Sequence, residues 1–329
     1  MRILVTGASG FVGVNLVAAL LARGHEILAF SADAIPTPAV TGWKSLPGIL
    51  KEVTGDVCDS ASLECLMREH AIEAVWHGAA ITAGPEREKR EPRRILEVNL
   101  MATVGALEAA ARAGARRFVY PSSSAVYGGV AFEGQGPVFE DASLRPLNLY
   151  GITKLAAEQA VLRLAPALGL EVCAGRINAV FGPWERDTGL RDTLSPHLQL
   201  AEFARDGREA VLARGVERDW VYAPDVADAF VAMLEADAVP ALPMNISMDR
   251  LWPLETMAHA LGSRWRYAEP GEESNLGYGG PIDRPRRHLS PARIRELLGW
   301  SPAHTPESAC ADYARLLSGP TSSSAPGAR

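Results

Sequence analysis

The amino-terminal stretch MRILVTGASGFVG constrains this chain more than any other segment of it. An apolar, β-branched run ends in glycines at 7, 10 and 13 and passes directly into a helical stretch over residues 11–23. Glycine at the first place permits a tight left-handed turn, at the second a close approach of backbone to a ligand, and at the third close packing of helix on strand. A helix that starts there aims its unpaired amide hydrogens, and the positive end of its dipole, out of the turn. The G-x-x-G-x-x-G spacing therefore predicts strand, turn and helix, with Gly7, Gly10, Phe11, Val12 and Gly13 placed to hold an anionic group.

The pattern then repeats without the glycines. The runs RILVT, EILAF, KEVTGDV, AVWHGAA, RFVYPSS and EVCAGRI alternate with helical stretches over 11–23, 60–70, 95–113 and 149–168. Such alternation predicts an α/β fold, a doubly wound parallel sheet of Rossmann type with helices on both faces. Gly24, Gly114 and Gly169 stand where helices end in a left-handed residue. Past Gly182 the rhythm loosens into shorter helices joined by proline-rich connections, which predicts a smaller carboxyl-terminal, substrate-binding region packed on the edge of the sheet. The expected organisation is a dinucleotide-binding domain over 1–182, the substrate-binding region over 183–317 and a disordered tail over 318–329, whose GPTSSSAPGAR has too little apolar surface to fold.

Composition narrows the function classes. Apolar residues are 47% and charged residues 22% of the 329, ordinary for a globular protein, and the net charge of -6 argues against a surface built for nucleic acid. No apolar run reaches the ~18 residues of a membrane span. The first strand begins at Arg2, leaving no room for a leader, so a cytoplasmic protein is expected. Cys58, Cys65, Cys173 and Cys310 lack CxxC spacing, so free thiols rather than disulfides or zinc ligands are expected, and no metal.

Chemistry concentrates in two stretches. Tyr150 and Lys154, in YGITK, are four apart and share one face of the 149–168 helix. An ammonium near a phenol favours the phenolate, the form that acts as a general base. PSSSAVYG, residues 121–128, follows the strand RFVY at the carboxyl edge of the sheet, where ligands of open α/β sheets bind, and a serine there can hold the oxygen whose proton the tyrosine takes. At the end of the second strand, where an acid commonly accepts from the adenosine ribose, stands Ser31. A neutral residue removes the repulsion toward a 2'-phosphate, so NADP or NAD is admissible with a lean to NADP; no arginine is adjacent in sequence, and Asp33 is within reach of a ribose.

In these motifs, and in their order, the chain resembles the extended short-chain dehydrogenase/reductases, the NAD-dependent epimerase/dehydratase group, from residue 1 to about 317. TGASGFVG is similar to the group's cofactor turn, GDVCD with Asp56 and Val57 to its adenine loop, and HGAA with Ala79 and Ala80 to its fourth-strand motif; Asn99 stands in its EVN, and RDWVYAPDVADA and LGWSP match later landmarks. The resemblance implies Ser123 as the catalytic serine, with Ser124 as the nearby alternative, Tyr150 as the base, and Lys154 as the group that tunes it and holds the nicotinamide ribose. It further implies a carbohydrate small-molecule substrate, and a homodimer formed through the 95–113 and 149–168 helices. Dehydratases and decarboxylases of the group carry an acid after the serine; here the pair is Ser124-Ala125, which leaves simple hydride chemistry, by an epimerase or a dehydrogenase.

The resemblance weakens on the substrate side. Where nucleotide-sugar enzymes of the group read R-x-x-N-x-x-G-P, this chain reads RINAVFGP, so Ala179 takes the asparagine's place and Asn178 comes one residue early. The candidate substrate contacts are Ser124, Asn178, Arg186, Arg191, Arg218 and Arg284, the arginines as partners of a carboxylate or phosphate. His77 is expected to pack near the cofactor rather than to react, and Trp184 and Trp220 to pack in the core.

Overall fold

In the computed structural model, residues 1–189, 192, 194–280 and 282–318 are described. The strands in chain order are β1 (Arg2–Thr6), β2 (Glu26–Ser31), β3 (Ile49–Thr54), β4 (Ala74–His77), β5 (Arg117–Ser123), β6 (Glu171–Ile177), β7 (Ala179–Phe181), β8 (Ala210–Leu212), β9 (Glu217–Arg218), β10 (Trp220–Tyr222), β11 (Pro243–Ile246), β12 (Trp252–Pro253) and β13 (Trp265–Tyr267). Seven of them form one parallel sheet in the order β3-β2-β1-β4-β5-β6-β11. This is the doubly wound sheet that the alternation predicts.

Strand periodicity sets the layers. Along β1, Ile3 and Val5 join one apolar core with Leu16, Val17, Leu20 and Phe230, whereas Leu4 joins the other with Leu63, Met67, Leu107 and Val161. Successive side chains alternate faces, so a strand buried on both sides reads as an unbroken apolar run. The strand order reverses between β1 and β4, whose ends pair as Thr6 with His77. A crevice opens there beyond the carboxyl ends of the strands.

The chain leaves the sheet after β6 but returns to it. Helix Ala223–Glu235 packs its Phe230, Met233 and Leu234 into the first core, and β11 adds the seventh strand beside β6. Ile177, the end of β6, is therefore where the chain first leaves the sheet, and later segments belong to both regions. The smaller region consists of two-stranded ladders, β7 with β10, β8 with β13 and β9 with β12, around a third core containing Phe181, Trp220, Trp252 and Tyr313. Trp220 is core, as expected. Of the tail, residues 319–329 lie outside the described residues.

The expected 95–113 helix is interrupted. Helix Pro92–Leu96 gives way to a π-helical turn, Glu97–Met101, before helix Ala102–Ala113. Asn99 sits in that wider turn, and its bonds, described below, account for it.

Candidate active site

Three segments meet at the switch point. β1 ends in the glycine turn, where Gly7 has φ +67° and a Cβ on it would lie 2.8 Å from the backbone of Gly78 and Ala79, the motif after β4. A Cβ on Gly13 would lie 2.2 Å from the Gly7 carbonyl, so only glycine lets helix Phe11–Ala22 start this close to the strand. That helix has neither an acid in its first turn nor a side-chain cap at Gly10, which leaves the dipole's positive end to a ligand. On the β4 side, the Ala79 amide donates to Thr6 Oγ1 at 3.3 Å, and Ala79 and Ala80 are half-buried at the crevice.

At the adenosine end, Ser31 is buried and its Oγ donates to the Asp33 carbonyl at 2.8 Å. Asp56 accepts from the Cys58 amide at 3.0 Å and pairs with Arg94 at 3.1 Å, which together hold its carboxyl below the usual range, while Val57 beside it is buried. The carboxamide of Asn99 is taken up by protein: it accepts from the Ile81 amide at 2.8 Å and donates to the Ile81 carbonyl and Thr153 Oγ1 at 2.9 and 3.1 Å. Asn99 is thus a brace between the β4 loop and the tyrosine helix, and its side chain has no free hydrogen left to donate to the cofactor expected beside it.

The candidate reactive groups lie on β5 and on helix Leu149–Ala167. Asn148 caps that helix by accepting from the Gly151 amide at 2.8 Å, and Glu88 accepts from the Leu149 amide at 2.8 Å. A Cβ on Gly151 would lie 2.8 Å from the Ala125 carbonyl, so the helix start is pressed against the serine loop. Tyr150 and Lys154 therefore stand over the end of β5. Ser123 closes β5 and caps the next turn, its Oγ accepting from the Ala125 amide at 3.2 Å. Lys154 Nζ donates to the Pro121 carbonyl at 2.7 Å and lies 6.0 Å from the Tyr150 ring centre. Burial pulls this lysine down to about 7, with Glu158 opposing.

Ser122 Oγ and His77 Nε2 are buried without a partner among the described residues. His77 binds Thr6 Oγ1 at 3.1 Å through Nδ1, and burial, with Lys154 nearby, pushes it down to about 3; it is a neutral packing residue, as expected. A turn that only glycine fits and an uncapped helix start suit a dinucleotide.

On the substrate side the structure redistributes the expected roles. Asn178 is buried and donates to Asp219 at 2.8 Å; Asp219 also accepts from the Met248 and Leu289 amides, and burial pushes its carboxyl up to about 6. Asn178 therefore belongs to the scaffold, not to an open pocket. Arg284 is exposed and lies 3.7 Å from Asp283, whereas Arg286 reaches Ser124 Oγ at 3.2 Å. Burial, and then Arg218, lower Arg286 to about 10 while Asp219 opposes, and both arginines line a cleft of about 230 Å³. Arg287, by contrast, is spent on the carbonyls of Glu133, Gly136 and Pro137. Arg186 lies not with these but on the cofactor turn, donating to the Ser9 carbonyl at 2.7 Å. Arg191 lies outside the described residues.

The family model for the NAD-dependent epimerase/dehydratase family matches residues 3–247. The chain belongs to this family. Among curated relatives, the UDP-glucose 4-epimerase of Azospirillum brasilense is 31% identical over 318 residues, 92% of this chain and 88% of that protein. A 3-beta-hydroxysteroid dehydrogenase of Mycolicibacterium neoaurum is 35% identical over 188 residues, 55% of this chain and 48% of that protein. Among solved structures, the UDP-glucose 4-epimerase of Thermus thermophilus in complex with NAD has 27% identity and a TM-score of 0.77, covering 96% of this chain and 99% of that one. MoeE5 in complex with UDP-glucuronic acid and NAD has 27% identity and a TM-score of 0.75, covering 96% and 98%.

This member of the epimerase/dehydratase family is an enzyme of the extended short-chain dehydrogenase/reductase type, and its neighbours support NAD as cofactor. Sequence reasoning singled out its glycine turn, serine loop and Tyr150/Lys154 pair. It missed Glu88 and Gly151, which seat the tyrosine helix, and Thr153, which ties that helix to Asn99. It also chose Arg284 over Arg286. The two flank Pro285 in one basic segment and carry no local signal that separates them; the contact with Ser124, distant in sequence, decides which one turns inward.

Proposed function

We propose that the protein is a nucleotide-sugar epimerase that oxidises a secondary alcohol of the sugar and reduces it again on the other face. The observation that carries this reading is the Arg286–Ser124 contact of 3.2 Å, which ties a cleft lined by Arg218 and Arg286 to the serine loop. Planar guanidinium forks suit phosphate oxygens. A diphosphate held by Arg218 and Arg286 would deliver the attached sugar to Ser123 and Tyr150.

Bound in the crevice, the nicotinamide supplies reversible hydride exchange with the carbinol carbon. The chain's own residues do the proton work. Ser123 orients the substrate hydroxyl, Tyr150 takes its proton, and the Lys154 ammonium stabilises the phenolate that this requires. Neither Ser124 nor Ala125 offers a second acid, so elimination of water is not served at this position. The curated epimerase at 31% identity supports the same reading. Ala179, in the place of a diphosphate-holding asparagine, favours a second reading: a dehydrogenase acting on a smaller anion such as a uronate.

The test is product analysis by proton NMR after incubation with UDP-glucose, UDP-glucuronic acid and free uronates. An epimer of a nucleotide sugar is expected, and Arg286→Gln should raise KM by about tenfold or more with kcat changed less. Oxidation of free uronates alone would overturn the reading. For the cofactor we propose that Ser31 admits NADP beside NAD. Exposed Leu96, Met101, Ile152 and Leu164 on neighbouring helices support a homodimer.

A further inference from the structure

The loop after β7 crosses from the smaller region to the cofactor turn. Asn15, inside the first helix, donates to the Pro183 carbonyl at 2.9 Å, and Arg186 follows three residues later. Farther on, Asp192 accepts from the Gly84 amide at 2.7 Å and from Arg87 at 2.9 Å, which pins the loop to the segment after β4. Arg186 is thus presented from a loop held at both ends.

Its guanidinium is only half used. Nη2 donates to the Ser9 carbonyl at 2.7 Å, while Nη1 is buried with no partner among the described residues. A buried guanidinium N–H without an acceptor is costly, and native structures keep few such groups. The group lies at the adenosine end of the crevice. Ser9 is inside the glycine turn, and Asp33, two residues past β2, is close enough to act on the charge of Arg186. The same place holds neutral Ser31, whose hydroxyl is turned inward onto the Asp33 carbonyl.

We propose that Arg186 is the specificity residue for the cofactor, its free Nη1 donating to a 2'-phosphate on the adenosine ribose, so that the chain prefers NADP to NAD. An arginine fork pairs with phosphate oxygens far better than with a ribose hydroxyl, and Ser31 brings no carboxylate to repel them. Asp33 is the opposing charge; it is exposed, so water screens it. No arginine adjacent in sequence serves this end of the site, and the structure supplies one from 177 residues away. The inference rests on the dinucleotide site and is independent of which sugar is turned over.

Isothermal titration of the purified chain with NADP and with NAD, repeated on Arg186→Gln and Arg186→Lys, tests it. The wild-type protein should bind NADP more tightly than NAD. R186Q should lose about tenfold or more in NADP affinity and less than about threefold in NAD affinity, with R186K between the two. Equal losses for both dinucleotides, an unchanged NADP affinity, or tighter wild-type binding of NAD overturns the assignment. Binding of neither dinucleotide would overturn the site itself along with it.

Discussion

Lys154 is a cation in a place that disfavours cations. Burial brings it down to about 7, so above that pH the ammonium beside Tyr150 gives way to a neutral amine. As pH rises through about 7 the charge that favours the phenolate is lost, so kcat/KM should fall with an inflection near 7. Lys154→Met should abolish that inflection, and an unchanged profile would remove the lysine from the mechanism. Stability takes the opposite sign. Between about 7 and the lysine's ordinary 10.5 the unfolded chain holds more protons than the native one, so this residue contributes stability as pH increases. Tyr150→Phe removes the proton acceptor and should lower kcat by about 10²–10⁴-fold, with dinucleotide affinity by titration little changed.

At the scale of elements, the tyrosine helix is positioned by polar groups along its length. The Asn148 cap, the Glu88 bond and the close approach at Gly151 seat its start, and Glu158 anchors its middle to β6 through Arg176 at 2.7 and 3.0 Å, both side chains buried. Removing one member of a buried pair leaves the other uncompensated, at a cost of about 3–5 kcal/mol. Glu158→Ala should therefore lower the melting temperature by several degrees, and a melting curve that does not move would show the pair to be dispensable. The strands and the glycine turn were legible because apolar period and glycine spacing are local properties. The π-helical turn at Glu97–Met101 was not, because its cause is Asn99 bonding to Ile81 and Thr153, 18 and 54 residues away. The sheet's last strand, Pro243–Ile246, was hidden for a related reason: it is specified by its neighbour β6.

Across the whole molecule, the active site joins parts of the chain that pattern alone cannot bring together. Arg286 reaches Ser124 over 162 residues and Arg186 reaches Ser9 over 177, so the sequence showed the arginines but not which of them turn inward. Candidate residues from the smaller region were reassigned by packing: Asn178 to the Asp219 network, Arg186 to the cofactor side, and Arg284 to solvent. The exposed apolar residues Met101 and Ile152, 62% and 48% accessible, lie on the helices expected to pair two copies. Light scattering should accordingly give about twice the chain mass, and Met101→Glu with Ile152→Glu should return it to one; an unaltered mass in the variant would place the contact elsewhere. In the proposed chemistry, hydride leaves the sugar and returns to it within one active site. The direct measurement is to follow absorbance at the reduced nicotinamide band while NMR records the sugar, using UDP-glucose and catalytic protein. Inversion of the sugar with no accumulation of reduced dinucleotide in solution is the predicted result, and reduced dinucleotide accumulating in step with an oxidised sugar would contradict it.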